Sequence, residues 1–380
     1  MSNSVPTLTP HSILGMTGKV ERPVYFLTLA GSAVPNLVVK GEAGTNNHPG
    51  MSDAEATISV KWSSKLMKNV NNPLVNTKIM TAPEIVEFQR AAAALLTAGS
   101  PQRVNSTNPG GMYTWVKMPL VPGLSDAEYY DAANAVVPGN IKVNILKFSD
   151  DMVWAELGKV VAVDLFNGNN DRFTVDGHWQ NKGNVMFLTG GATAVIGLDT
   201  FDPNAGAMAN LATGGRFDEL RILIDLARRD AFALACTGSV GNEMKRAFKT
   251  TAEVTLKGKT TFGLITQAPG GAQVVRHIKI DEMEQLFLPY APTFAQGIST
   301  GAAQLKAYLQ AKVRQYRPAP VWQRAAPAGA AVAPAPGWQR AVPGGARAVA
   351  PAPAPGAAAA PVKVVPQGIL DRMAFLGWQV

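Results

Sequence analysis

Residues 164–202 read DLFNGNNDRFTVDGHWQNKGNVMFLTGGATAVIGLDTFD. An apolar run leads into NNDRF, a polar insertion follows, and KGNVMF precedes a second apolar run that ends at LDTFD. Asp171, Asn184 and Asp199 therefore stand at the edges of segments whose composition is typical of a buried core. Carboxylate and amide oxygens suit Mg²⁺, a hard cation that leaves coordination positions for phosphate oxygens and water.

The composition is that of a globular protein. The chain has 380 residues, of which 47% are hydrophobic and 16% charged, enough for one large or two moderate domains. No run reaches the roughly 18 apolar residues of a membrane span, and the first residues lack a signal-peptide pattern. The single cysteine, Cys236, lies in an apolar run and is expected to be a packed core thiol in a reducing compartment.

The positive charge is concentrated near the end of the chain. Six basic residues and one acidic residue lie from Arg317 onward, so only +3 of the formal charge of +8 belongs to the first 316 residues. A nearly neutral folded part does not indicate a nucleic-acid-binding surface.

The same C-terminal region has the composition of a disordered tail. Residues 317–366 are rich in Pro, Ala and Gly, which bury too little apolar surface to offset the entropy of ordering. Two copies of a WQRA motif, at Trp322 and Trp338, are candidate docking points for a partner protein or a duplicated linker. The last residues, 367–380, predict a short docking helix with three apolar side chains on one face: Ile369, Met373 and Leu376.

The first part of the chain is richer in β-strand signals than the rest. Two β-rich runs, Val24–Leu29 and Leu37–Lys40, flank a turn, and a capping box with Glu55 at its third position begins a helix. From Asp151 onward the periodicity is mainly helical. The pattern predicts an α+β protein with a small β-rich half before a larger helical half.

Lys40 ends an apolar strand run, where its ammonium can point toward phosphates. Glu55 is the predicted ion-pair partner of Lys40, and Glu84 and Glu87 are the substitutes. A strand lysine, a helix glutamate and then Asp171, Asn184 and Asp199 follow the order of groups that phosphoryl transfer by a kinase requires.

The segments LGKVVAVDLFNGNNDRF, NKGNVMF and AVIGLDTFD resemble the atypical protein kinase-like families, nearest the actin-fragmin kinase type. More distantly they resemble the phosphatidylinositol kinases and the bacterial persistence-toxin kinases. The resemblance implies that Asp171 is the catalytic aspartate and that Asn184 and Asp199 bind metal. It implies that Lys40 contacts the phosphates of ATP and that Glu55 holds Lys40 in place.

The resemblance also implies a bilobal kinase-like fold. Its expected parts are a flexible N-terminus (1–12), an N-lobe (13–122), a C-lobe (123–316), the disordered tail (317–366) and the docking helix (367–380). The chain departs from the family pattern at three points, one of which is the loop of 13 positions from Asp171 to Asn184, longer than in ordinary protein kinases. No full glycine loop precedes Lys40, where only Gly15 and Gly18 are available to bind nucleotide, and Asp202 could replace or share the metal role of Asp199.

The expected activity is ATP- and Mg²⁺-dependent phosphotransfer to a protein Ser/Thr hydroxyl. The alternatives are a lipid or small-molecule kinase, a nucleotidyl transferase on the same fold and a nucleotide-binding pseudokinase scaffold. The expected location is the cytoplasm or, for a bacterial effector, a host cell. The expected partners are a protein substrate and a protein bound by the tail, with no nucleic acid and no membrane span.

Overall fold

The computed structural model describes thirteen stretches of the chain. These are residues 5–20, 23–43, 53–71, 77–108, 111, 113–121, 123–125, 147–188, 195–198, 217–251, 261–267, 273–316 and 365–379. They form a mixed α+β protein, as the sequence predicts.

The strands are β1 (Ile13–Gly18), β2 (Val24–Leu29), β3 (Leu37–Ala43), β4 (Lys78–Ile79), β5 (Tyr113–Pro119), β6 (Gly123–Ser125), β7 (Val185–Leu188), β8 (Val195–Gly197), β9 (Thr261–Gln267) and β10 (Gln273–Lys279). The α-helices are α1 (Asp53–Val70), α2 (Ala82–Leu95), α3 (Pro101–Ser106), α4 (Asp151–Asn167), α5 (Phe217–Leu220), α6 (Leu226–Thr251), α7 (Ala291–Tyr316) and α8 (Gln367–Phe375). Short 3₁₀ helices span Lys182–Asn184, Arg221–Leu223, Ile280–Gln285 and Leu288–Tyr290.

The first sheet is antiparallel, with the strand order β1-β2-β3-β5-β4. One of its faces is closed by α2, where Tyr25, Phe88 and Trp115 form an aromatic cluster with ring centroids 4.9–6.0 Å apart. Side chains alternate between the two faces of a strand. Val39 of β3 pairs with Tyr25 and is buried on the same face, so its neighbour Lys40 lies on the opposite face.

Residues 5–12, predicted to be a flexible N-terminus, are packed against this small core. Val5 and Leu8 are buried among its apolar side chains. The amide of Leu8 donates to the Glu84 carboxylate at 3.0 Å. The prediction was wrong for these residues. Their composition is mostly polar, but two apolar side chains among them are buried, and side chains of α2 bind several of their backbone groups.

Glu87 fixes the same segment through charge. It accepts hydrogen bonds from the Arg90 side chain at 2.7 and 2.9 Å. The Arg90 guanidinium and the backbone amides of His11 and Ile13 outweigh the effect of burial, and they lower the pKa of Glu87 from 4.5 to about 2. The bond from Arg90 has the largest effect.

Replacing Glu87 by glutamine should therefore destabilise the protein at pH 7 by about 1.5–3 kcal/mol, the usual range for hydrogen bonds to a charged group. Because the folded-state pKa is lowered, the stabilisation is complete above about pH 4.5 and is lost as the pH falls toward about 2. Urea unfolding of both proteins between pH 7 and pH 3 measures the difference.

The matched control is Glu243→Gln, since Glu243 forms the same (i, i+3) type of pair with a largely exposed arginine, Arg246. That change should cost less than about 1 kcal/mol. Equal losses in the two variants, or a Glu87→Gln loss that does not shrink in acid, would contradict the assignment.

The chain passes from the first sheet to a second one at residues 120–122, between β5 and β6. The second sheet is antiparallel with the order β6-β7-β8. It lies with the large helices around the larger core, and α1 contributes Trp62, Leu66 and Met67 to that core. One helix thus packs on both parts of the molecule, since α1 also contacts β4 and β5.

The helices α4 and α7 pack closely at the centre of the larger core. Gly158 of α4 and Gly297 of α7 face each other, and a Cβ added to Gly158 would lie 2.8 Å from the Cα of Gly297. The absence of side chains at this crossing lets the two backbones meet. It fixes the position of α4, whose end carries the candidate site.

The predicted C-terminal helix is present, but its predicted surface is not. The three apolar side chains expected to bind another protein, Ile369, Met373 and Leu376, are buried in the larger core of this chain, and so is Trp378. An apolar helical face predicts burial but does not specify the partner, and here the partner is the chain itself. The tail residues 317–364, with Trp322 and Trp338, lie outside the described residues.

Two further observations concern the later part of the chain. The hairpin of β9 and β10 lies within a part of the chain predicted to be mainly helical. Cys236 is fully buried on α6, as expected, and burial raises the pKa of its thiol. In the part of the chain that the structure describes, none of the helices is both long and apolar enough to span a bilayer.

Candidate active site

The helix α4 is the platform of the site. It begins where the Asp150 side chain accepts a hydrogen bond from the Met152 amide at 2.8 Å. It ends at Gly168, whose φ of 69° lies in the left-handed region that favours glycine. Most of its second half is buried. The turn at Gly168 brings the following loop out of the core at a defined point.

Asn169 fixes the start of that loop. Its amide donates to the Asp164 carbonyl at 2.8 Å, and its side-chain nitrogen donates to the Asp164 carboxylate at 3.2 Å. The side-chain oxygen of Asn169 accepts from the Asp171 amide at 3.0 Å. This local bond closes a short turn. The backbone of Asp171 is therefore tied to the end of α4.

The carboxylate of Asp171 contacts Asn184, as a shared site requires. One oxygen, Oδ2, accepts from the Asn184 side-chain nitrogen at 2.6 Å and from the Asn181 side-chain nitrogen at 3.1 Å. Asn184 is buried, whereas Asp171 is half-buried. The structure thus brings together two of the predicted site residues that are 13 positions apart in the chain.

Arg172 joins the segments around this pair. Its fully buried guanidinium forms an ion pair with Asp164 of α4 and donates to the carbonyl of Leu198 after β8. Its Nε donates to the Asn184 carbonyl at 3.2 Å. The Leu198 amide also donates to that carbonyl, at 2.8 Å. Arg172 therefore sets the relative positions of α4, β7 and β8.

Asp164 is the acidic partner inside this network. Burial raises the pKa of its carboxyl from 3.8 to about 6, against the opposing effect of the neighbouring Arg172 guanidinium. The negative charge of Asp171 acts in the same direction as burial. Asp164 is ionised at neutral pH at a substantial cost, which makes the arrangement sensitive to the loss of Arg172.

The insertion between Arg172 and Asn184 folds back as a tight turn. The Thr174 amide donates to the His178 carbonyl at 2.9 Å, and the rings of Phe173 and Trp179 stack with centroids 5.9 Å apart. Trp179 is buried, and its amide donates to Ser239 of α6 at 2.9 Å. These contacts hold the long insertion against α6, so that the chain after it places Asn184 beside Asp171.

Lys40 lies on the face of the first sheet opposite α2. It stands in a row with Val24 and Val116 across β2, β3 and β5, and its Nζ is 3.2 Å from the carboxylate of Glu42. The half-buried side chains that share this face are largely apolar: Phe26, Val38 and Met118. A lysine beside partly exposed apolar side chains suits a ligand that has both a ring and phosphates.

Three glutamates were predicted as possible ion-pair partners of Lys40, and the structure excludes two of them. Glu55 lies on α1, but its side chain is outside the described residues. Glu84 and Glu87 are bound to Lys117 and Arg90 on the α2 side of the sheet. Because that is the opposite face from Lys40, these two substitutes were wrong.

The two predicted nucleotide-binding glycines lie inside β1 and not ahead of the first strand. Gly15 and Gly18 pair with Thr28 and Tyr25 of β2. A Cβ on Gly18 would lie 3.0 Å from the Tyr25 ring. Packing against this ring accounts for the glycine at position 18.

The aspartates of the predicted metal site, Asp199 and Asp202, lie outside the described residues. Within the described ranges, no three His, Cys, Asp or Glu side chains form a metal-binding group.

The residues that the sequence interpretation missed are Asp164, Asn169 and Asn181. Asp164 and Asn169 belong to the quoted DLFNGNNDR run, in which polar residues at the end of an apolar helix were a detectable signal.

Comparisons of the chain with protein-family models, with curated proteins and with solved structures find no match.

Proposed function

We propose that this protein is an ATP- and Mg²⁺-dependent phosphotransferase with a bilobal kinase-like fold and a protein Ser/Thr hydroxyl as its acceptor. The observation that carries the proposal is the contact of the Asp171 carboxylate with the Asn184 amide at 2.6 Å. Asp171 follows α4, and Asn184 precedes the hairpin of β7 and β8. Asp199 comes directly after Leu198, the residue that follows β8. The order and the contact together match the requirements of phosphoryl transfer.

The division of the fold supports the same proposal. A five-stranded sheet with Lys40 on the face opposite α2 precedes residues 120–122, and a three-stranded sheet with the large helices follows. Residues 120–122 are thus the proposed hinge between two lobes. The ATP ring would contact the apolar surface around Lys40, with the phosphates extending toward the second lobe.

The roles of the individual groups follow from their chemistry. Asp171 would orient the acceptor hydroxyl and take its proton. Lys40 would donate to the phosphates as a point charge. Asn184 donates its amide N–H to Asp171, so its amide oxygen points away from that carboxylate.

The oxygen of Asn184 and the carboxylate of Asp199 are the donor types that Mg²⁺ prefers, so the residues present fit this ion. Mg²⁺ bound there would neutralise charge on the phosphates during transfer. Arg172 would preserve the spacing of these donors by holding the Asn184 and Leu198 carbonyls.

Replacing Lys40 by alanine tests the nucleotide site. The change should weaken ATP binding by about tenfold or more, the value of one charge-assisted contact of about 1.5 kcal/mol or above, even when Mg²⁺ is saturating. The reason is that Mg²⁺, bound at the other site residues, cannot replace the hydrogen bonds that the Lys40 ammonium would donate to the phosphates. Thermal shift and calorimetry with ATP, with and without Mg²⁺, provide the measurement.

The matched control for this test is Lys65→Ala. Lys65 is another half-buried lysine, which lies over the Trp62 ring on α1. ATP binding that is equal in the two variants would remove Lys40 from the site. ATP binding by the wild-type protein without any transfer of phosphate would favour the scaffold alternative.

A further inference from the structure

The C-terminal segment, residues 365–379, docks against the end of α4. It is separated from the end of α7 by residues 317–364, yet it is buried against the larger core. The Trp378 ring stacks on Phe166 with a centroid distance of 5.7 Å and an interplanar angle of 2°. Phe166 lies in the last turn of α4.

Arg372 is the polar centre of this contact. Its side chain is fully buried, and its guanidinium donates to the Phe166 carbonyl and, at 3.1 Å, to the Asn167 carbonyl. The guanidinium carbon lies 5.6 Å from the centroid of the Phe166 ring. The last carbonyls of a helix lack intrahelical donors and carry partial negative charge. Arg372 therefore supplies both the missing donors and the favourable charge.

These two carbonyls lead directly into the loop that carries Asp171. Gly168 and Asn169 cap the preceding carbonyls, of Asp164 and Leu165, from within the loop. Asn169 in turn holds the Asp171 amide. The end of α4 thus has one set of its carbonyls bound by the loop itself and the next set bound by a distant segment.

We propose that the C-terminal segment is a positioning element for this loop and that Arg372 is its positioning residue. The inference rests on the proposed function, because it concerns the placement of Asp171 for phosphotransfer. When the segment is docked, the end of α4 and the Asp171 turn are held in the observed arrangement. When it is undocked, the carbonyls of Phe166 and Asn167 lose the donors of Arg372, and the end of α4 no longer holds the Asp171 turn in a fixed position.

Residues 317–364 join the segment to α7, so its docking is intramolecular. A tethered segment binds with an effective concentration set by its linker, so a docking interaction that is weak on its own suffices. The contact of α4 with α7 through Gly158 and Gly297 does not involve this segment. Docking would thus regulate the site from within the same chain.

The first experiment measures steady-state phosphotransfer by the full-length Arg372→Ala, Arg372→Lys and Asp371→Asn proteins. Arg372→Ala should lower kcat at least about tenfold with less than about a threefold change in the KM for ATP, because a displaced catalytic group affects the chemical step. Arg372→Lys keeps the charge and should give an intermediate value. Asp371→Asn changes the adjacent residue on α8 and should match the wild type. An Arg372→Ala protein with wild-type kcat, or one that changes only KM, would overturn the inference.

The second experiment needs no core substitution. A protease site is inserted within residues 317–364, and the folded full-length protein is cut there. The cut protein should remain active when concentrated, lose activity on dilution and recover it when a synthetic peptide of residues 365–380 is added. Activity that does not depend on dilution or on the peptide would refute a positioning role.

Hydrogen exchange separates this inference from the proposed function. In the Arg372→Ala protein without nucleotide, the amides of Asn169 and Asp171 should exchange at least about tenfold faster, while amides in the middle of α7 stay unchanged. Faster exchange in a protein whose wild type transfers no phosphate would retain the positioning role and reject the activity. Unchanged exchange would reject the positioning role whatever the activity.

Discussion

Replacing Asp171 by asparagine is expected to lower kcat for phosphotransfer by at least about 100-fold, the lower range for a positioned general base. The substitution keeps the size of the side chain and removes the carboxylate that would accept the hydroxyl proton. ATP binding should change by less than about threefold, because Lys40 and the metal ligands remain. The measurement is the rate of γ-phosphate transfer at saturating ATP, together with calorimetric ATP binding.

The control is Asp176→Asn, in the same insertion. Asp176 is exposed, and among the contacts described its carboxylate accepts hydrogen bonds only from within the turn, from Thr174 and from the backbone amides of Asp176 and His178. The turnover of the Asp176→Asn protein should therefore equal that of the wild type. Unchanged turnover in a folded Asp171→Asn protein would remove Asp171 from the catalytic role. A similar loss in both variants would point to a general effect of the insertion.

Arg172→Leu should produce the largest loss of stability, about 3–5 kcal/mol, because it leaves the buried Asp164 charge without its partner. The melting temperature should fall by at least about 6 °C. The loss should be smaller at pH 5 than at pH 8. Burial already raises the pKa of Asp164 to about 6, and without the guanidinium the pKa rises further.

The sign follows from proton binding. Where the folded-state pKa of an acid exceeds its unfolded value, stability falls as the pH rises between the two values. Protonated Asp164 needs no cationic partner, so acid reduces the damage in the variant. Differential scanning calorimetry of both proteins at the two pH values gives the comparison.

Two controls bracket this result. Arg228→Leu removes an exposed ion pair with Asp225, in which the charged atoms are 3.8 Å apart, and should cost less than about 1 kcal/mol. The double variant Arg172→Leu with Asp164→Leu should recover part of the loss, since apolar replacements of a buried pair are tolerated better than half a pair. A double variant less stable than Arg172→Leu would contradict the account.

Periodicity and strand composition were sufficient to predict the local elements that position the site. The helix before the loop was predicted from Asp151, and the runs that become β2 and β3 were placed at Val24–Leu29 and from Leu37. These signals are local, because an apolar face or an alternating strand is written in neighbouring residues. The contact of Asp171 with Asn184 agrees with their predicted common site.

The long-range contacts could not be predicted in the same way. The sequence does not state that Glu84 binds the amide of Leu8 or that Arg372 binds the end of α4. Both contacts join residues more than 70 positions apart, and each depends on the whole fold. An apolar face such as that of Ile369 and Met373 fits another protein as well as the chain itself until the packing is known.

The most direct test of the proposed activity uses two preparations of ATP, one with a radioactive γ-phosphate and one with a radioactive α-phosphate, and measures which label is transferred to protein. Each is incubated with the protein, Mg²⁺ and a cell lysate, beside the Asp171→Asn protein. The account predicts that protein in the lysate is labelled from γ-labelled ATP only, that labelling requires Mg²⁺ and that Asp171→Asn abolishes most of it. Labelling from α-labelled ATP, or no labelling from either nucleotide, would contradict it.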